Sequence, residues 1–167
     1  LINALKIVNG GHITMSKMTG SWAGAMGQCQ FMPSSFINYA TDWDKDGSKN
    51  IWTSKSDVFA SAANYLKKVG WSNQITWGRK VFIGNYNDKI VEKKYNLLSY
   101  WASKGILNAN KDKLPSVKLK ARLIIPDGYK NYGYLAYKNF DSLLNWNRSN
   151  YFAIAVGTLA DSIKENN

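Results

Sequence analysis

The chain has 167 residues, 45% of them hydrophobic and 20% charged. That is enough to bury one core, and it contains no run of about 18 apolar residues that would span a membrane. Its 22 basic and 11 acidic residues give a net charge of +11. This favours an anionic partner, but no RNA-recognition, helix-turn-helix or zinc-finger signature accompanies it, so no nucleic acid is expected. The one cysteine, Cys29, excludes an internal disulfide and suggests no thiolate metal site.

Leu1–Val8 is apolar at a helix-compatible spacing, and Gly10 can end that helix. It reads as a helix already under way, so the chain is expected to be a fragment or a processed product, with any export signal upstream. His12 follows in a glycine-flanked loop and is assigned no role. A short helix is expected over Met15–Met18, then loop or irregular helix over Gly20–Pro33, then a helix capped by Ser34 or Ser35 and running to about Ala40. The clearest helix spans Thr53–Val69. Ser54 and Asp57 have the S-x-x-D capping spacing, Val58, Ala62, Tyr65, Leu66 and Val69 form the apolar stripe, and Gly70 is the stop.

A short strand is expected at Val81–Ile83 and a helix over Leu97–Ala102 ending near Gly105. Lys118–Ile125 alternates as a strand, Pro126-Asp127-Gly128 is a turn, and Tyr132–Tyr137 is the returning strand. The last helix covers Tyr151–Ile163 with Asn150 as N-cap. Gly157 inside it costs about 1 kcal/mol against alanine.

Two stretches carry the chemistry. Gly20-Ser21-Trp22-Ala23-Gly24-Ala25-Met26-Gly27-Gln28-Cys29-Gln30-Phe31-Met32-Pro33-Ser34-Ser35-Phe36 combines small residues, two amides, two aromatics and a proline. Glutamine amides complement sugar hydroxyl and acetamido groups, and small residues let a backbone approach a ligand. The same composition also fits a tightly packed helix–loop junction. The second stretch, Asp42-Trp43-Asp44-Lys45-Asp46-Gly47, matches the first half of an EF-hand calcium loop, with carboxylates at positions 1, 3 and 5 and glycine at 6. Ser48 offers a carbonyl at position 7, but Thr53 replaces the bidentate acid at position 12, and Asp57 falls four residues later. The alternative is a metal-free turn in which the aspartates accept backbone N–H bonds.

The Gly20–Phe36 segment resembles the signature of the MltB-type lytic murein transglycosylases, glycoside hydrolase family 103. The similarity continues through Tyr39–Gly47, Asn50–Trp52, Ala60–Leu66, Gly70-Trp71 and Trp146-Asn147-Arg148-Ser149-Asn150-Tyr151-Phe152-Ala153-Ile154-Ala155-Val156. It covers nearly the whole chain and is weakest between about 72 and 116.

The resemblance implies a mainly α, α+β fold: a lysozyme-like helical core over 1–73, a small α/β insert over 74–140 beside the cleft, and a helical return over 141–167. It places Ser21, Gln30, Phe31 and Met32 at the cleft, with Gln30 on sugar N-acetyl or hydroxyl groups and Phe31 and Met32 as an apolar floor. It assigns Asn147 a muramyl contact, and Tyr151 and Phe152 stacking on sugar or closure of the cleft. Asp42, Asp44, Asp46 and Ser48 are the candidate calcium ligands. No cofactor is required, since only some family members bind calcium in this loop.

The family's reaction needs one glutamate. That residue protonates the β-1,4 oxygen between N-acetylmuramic acid and N-acetylglucosamine, then helps the muramyl C6 hydroxyl attack C1 to give a 1,6-anhydro end. The family acid lies upstream of the signature. Glu92 and Glu165, the two glutamates here, lack its sequence surroundings, so no catalytic residue is assigned and the isolated chain is expected to be inactive. The expected setting is the periplasm of a Gram-negative cell, with outer-membrane anchoring through an upstream segment as an option. The expected partners are glycan strands of peptidoglycan, bound by a monomer. Two other readings are a non-catalytic peptidoglycan-binding module and a calcium-binding interaction domain.

Overall fold

The structure is a computed structural model that describes residues 1–84, 94–126 and 130–166. The Lys89–Lys94 run with Glu92 and the Asp127-Gly128 part of the expected turn therefore lie wholly or largely outside the described residues. The chain forms two compact units, Leu1–Val69 and Gly70–Asn167.

The first unit is helical. Helix α1 covers Ile2–Asn9, one 3₁₀ turn covers Met15–Lys17, α2 covers Pro33–Tyr39 and α3 covers Lys55–Lys68. Helix α2 begins on Pro33 itself, with Met32 as N-cap and no side-chain cap, instead of on Ser34 or Ser35. Proline suits this first position, because its missing N–H has no partner in a helix's opening turn. In α3 the Ser54 side chain accepts from the Asp57 amide, as the S-x-x-D spacing requires, and Lys67 and Lys68 occupy the last turn.

The second unit carries β1 (Gly78–Phe82), β2 (Asn96–Leu97), α4 (Leu98–Ser103), β3 (Leu107–Asn108), β4 (Lys120–Ile124), β5 (Tyr132–Ala136), α5 (Lys138–Trp146) and α6 (Asn150–Glu165). The five strands form one antiparallel sheet in the order β2-β4-β5-β1-β3. Leu123, Leu135 and Val81 face a core with Leu98, Trp101 and Ile106, and the Trp101 indole N–H donates to Ala121 O at 2.9 Å. Burial of these side chains supplies about 25 cal/mol per Å² of apolar area, the main force holding the sheet to α4.

Helix α5 and the two-residue strands β2 and β3 were not anticipated from sequence. Ser149, not Asn150, caps α6, its hydroxyl accepting from the Phe152 amide at 3.3 Å. Gly157 is buried against Trp77, where a Cβ would meet the ring at 2.3 Å. It is a packing requirement as well as a weak helix former.

Candidate functional site

The signature segment folds as two linked turns in the first unit. Ser21 N donates to Ala25 O and Gly24 N to Ser21 O, both at 2.8 Å. The Ser21 hydroxyl accepts from Ala25 N at 3.1 Å, which leaves its own proton for an outside acceptor. Trp22, at the tip of this turn, is fully exposed.

Met26 and Phe31 then exchange backbone bonds at 2.8 and 3.0 Å, closing the four residues Gly27–Gln30 into a loop. Gly27 has φ +61°, and a Cβ on it would lie 2.6 Å from Ile51 O. Only glycine satisfies both the dihedral and the approach. Gln30 also sits at positive φ, 50°. Its Nε2 and its backbone N–H both donate to Gly27 O, at 2.9 and 3.1 Å. The Gln30 side chain is exposed, whereas Phe31 is buried against Tyr65 with ring centroids 5.8 Å apart.

A groove of about 890 Å³ is lined by the start of α1 (Leu1–Ala4), Met18–Ser21, Gly24 and Met32–Ser34 among others. Among the described residues, its lining includes no aspartate or glutamate. Ser21 and Met32 face into it. Gln30 lies on an adjoining pocket of about 300 Å³ with Thr19, Gly20, Gln28 and Trp52. Phe31 lines neither of these two pockets and lies beneath the turn. Cys29 is buried as well, its thiol donating to Val58 O at 3.4 Å and pushed up to about 11 by burial.

The acidic loop is closed by its own side chains. Asp42 accepts from Gly47 N at 3.0 Å, Asp46 from Ser48 N at 2.8 Å and Asp44 from Asp46 N at 3.4 Å. Asp57, fully buried on α3, reaches back into the loop. Its two oxygens accept from Trp43 N at 2.7 Å and Asn50 N at 2.8 Å. One oxygen each of Asp42, Asp44 and Asp57 lies within 4.8 Å of the others. Asp42 Oδ1, the oxygen that does not accept from Gly47 N, is buried with no hydrogen-bond partner.

A divalent cation fits this arrangement, because calcium takes oxygen ligands and would satisfy the orphan oxygen. Asp57, which the twelve-residue spacing placed out of reach, brings a carboxylate to the loop where Thr53 has none. Asp46 and Ser48 stand outside the three-carboxylate group and are engaged with each other. His12, given no role from sequence, accepts the Lys49 amide on Nδ1 at 3.1 Å, and its carbonyl accepts the Ser48 hydroxyl at 3.3 Å. Partial burial, then Lys49, lower its pKa against a smaller opposing pull from Asp42.

The second expected cluster lies in the second unit, at the junction of α5 and α6. Asn147 is the C-cap of α5 and is exposed, with its amide donating to Leu143 O at 3.1 Å. Tyr151 is 54% exposed and Phe152 half-buried, both in the first turn of α6. Glu165 ends α6 in an exposed turn.

Residues 1–161 match the transglycosylase SLT domain family. The membrane-bound lytic murein transglycosylase B of Escherichia coli K12 is 33% identical over 151 residues, covering 87% of this chain and 40% of that protein. SltB3 of Pseudomonas aeruginosa, solved in complex with NAG-anhNAM-pentapeptide, is 41% identical with a TM-score of 0.91, over 98% of this chain and 45% of that one. The Escherichia coli transglycosylase Slt35, solved in complex with calcium, is 28% identical with a TM-score of 0.81, over 98% of this chain and 52% of that one. The chain thus spans about half the length of these relatives or less, and it shares their α+β, lysozyme-like fold. By signature, family match and fold together, the chain belongs to the transglycosylase SLT domain family, among the lytic transglycosylases of the MltB type.

Proposed function

We propose that this chain forms the glycan-holding part of a peptidoglycan lytic transglycosylase. Such an enzyme cleaves the MurNAc-β-1,4-GlcNAc bond without water and leaves a 1,6-anhydroMurNAc end. The observation that carries the reading is the likeness to SltB3, a protein solved with a ligand that bears an anhydromuramyl group. In this reading Ser21, Gln30 and Met32 contact the sugars, and Phe31 fixes the turn from below. In the second unit Asn147 makes a muramyl contact, and Tyr151 and Phe152 stack on sugar or close the cleft. The working place is the periplasm.

In this reading the proton donor is a glutamate that none of the described groove-lining residues supplies. An acid of this kind works with its pKa raised by a dry apolar setting. Met18, Met26 and Met32 in the lining fit that requirement.

Calcium is proposed on Asp42, Asp44 and Asp57, by analogy with Slt35 and on the orphaned Asp42 oxygen. Bound there, it would neutralise the carboxylates and hold the loop; it takes no part in bond cleavage.

Incubation of purified sacculi with this chain, and with a form lengthened at Leu1 by its native coding sequence, tests the reading by mass spectrometry of the soluble products. Anhydromuropeptides from the longer form alone support it in full. Anhydromuropeptides from the 167-residue chain itself would place the acid within it. Sacculus binding with no product from either form supports the non-catalytic binding module. Neither binding nor product would overturn both.

A further inference from the structure

Gln28 and Gln30 have the same side chain and are equal candidates for a sugar contact by residue type. The structure separates them. One Gln30 N–H bond stays within the turn, to Gly27 O. Gln28 instead reaches across to the segment that leaves the acidic loop. Its backbone N–H donates to Ile51 O at 2.9 Å, and its Nε2 donates to Trp52 O, also at 2.9 Å. Ile51 is fully buried and presses on Gly27 so closely that no Cβ fits between them.

That segment is itself fixed from the other side. Asp57 accepts the Asn50 amide at 2.8 Å, and the Asn50 side-chain oxygen accepts from Trp52 N and Thr53 N at 3.1 and 3.0 Å. A continuous set of bonds therefore runs from Asp57 through Asn50 and Trp52 to Gln28. It ends at a loop whose Gln30 is held at φ 50°, a strained conformation for a non-glycine residue that persists only where the surrounding structure imposes it.

We propose that Gln28 is a positioning residue: although it borders the same small pocket as Gln30, its Nε2 is committed to Trp52 O, and by clamping the Gly27–Gln30 loop to Ile51 and Trp52 it sets Gln30 for the sugar contact without making that contact itself. This rests on the reading of Gln30 as a glycan contact. A neutral hydrogen bond of this kind contributes modestly, so its loss is expected to weaken glycan binding roughly three- to tenfold. Gln28 is exposed, so the fold tolerates its replacement.

The test is a double-mutant cycle with Gln28→Met, which keeps length and removes the donor, and Gln30→Ala. Affinity for a reduced GlcNAc–MurNAc oligosaccharide is measured by calorimetry, and the Gln30 amide resonance is followed in the ligand-free protein. The expected result is a three- to tenfold loss for Gln28→Met with a displaced Gln30 resonance, and no further loss when the change is made in Gln30→Ala. Equal losses in both backgrounds would make Gln28 a direct contact and overturn the proposal, as would an unchanged affinity for Gln28→Met. Should Gln30→Ala itself bind normally, the glycan reading of this turn falls and the proposal falls with it. A null result for Gln28→Met alone removes only the positioning role.

Discussion

The indole of Trp77 lies on the backbone of Gly157, so close that a methyl group at 157 would overlap the ring at 2.3 Å. The indole N–H donates to Asp161 at 2.9 Å, one helical turn further on. Helix propensity alone favours Gly157→Ala by about 1 kcal/mol. The overlap reverses the sign, and the variant is expected to lose about 1–3 kcal/mol through a displaced indole. Urea unfolding followed by tryptophan fluorescence measures it. A midpoint equal to or above that of the parent would show that Trp77 has room to move.

Removal of the Asp57 carboxylate strips the Trp43 and Asn50 amides of their acceptor. Asp57→Ala should cost about 2–6 kcal/mol, since the two part-buried N–H groups left unpaired cost about 1–3 kcal/mol each. Calcium should raise the melting temperature of the parent protein and leave that of the variant unchanged. An equal calcium shift in both would place the ion elsewhere.

His12 accepts the Lys49 amide only while Nδ1 is unprotonated, and its pKa is lowered from 6.5 by burial, then by Lys49. The unfolded chain binds this proton more readily than the native one. The stabilisation is therefore complete above about pH 6.5 and fades as pH falls through the lowered native value. His12→Gln should flatten the acid side of the stability–pH curve between about pH 7 and 5. A native His12 resonance in NMR that titrates at or above 6.5 would contradict this.

Tyr95 donates to Asp141 at 2.9 Å, and burial followed by that bond pushes its pKa up to about 12. Asp141 also pairs with Lys138 at 2.7 Å and Arg122 at 3.6 Å. The raised tyrosine stabilises the fold below the unfolded value near pH 10, and the contribution disappears as pH rises through about 12. After denaturation, ultraviolet titration should show one tyrosine more ionising near pH 10 in the parent than in Tyr95→Phe. Identical native titrations of parent and variant below pH 11 are equally required.

Where a signal is local, the sequence carried it. The Ser54–Asp57 spacing located the start of α3, and the alternation over residues 118–125 located β4. The residue types of Gly20–Phe36 fitted a ligand-lining turn and a tightly packed junction equally, and only the structure shows that Ser21 and Met32 border a groove. What the sequence hid is set by distance along the chain. Helix α5 buries Asn139 and Ser142 beside Phe140 and Leu143, which blurs its apolar stripe. The Asn139 amide is spent on Ser72 and Ile75, more than sixty residues away. Strands of two residues offer no period to detect. Asp57 reads as a helix cap, and only the packing of α3 on the acidic loop turns its carboxylate toward Asp42 and Asp44.

Cys29 lies between the two glutamines with its sulfur buried and its pKa near 11. Thiolate, the reactive form, is scarce at neutral pH, and reagents cannot reach it while the turn is seated. Labelling of the native protein therefore proceeds only when the Gly27–Gln30 loop lifts, and its rate counts those openings. The single thiol is a built-in clock for the breathing of this turn, readable without adding any probe to the chain.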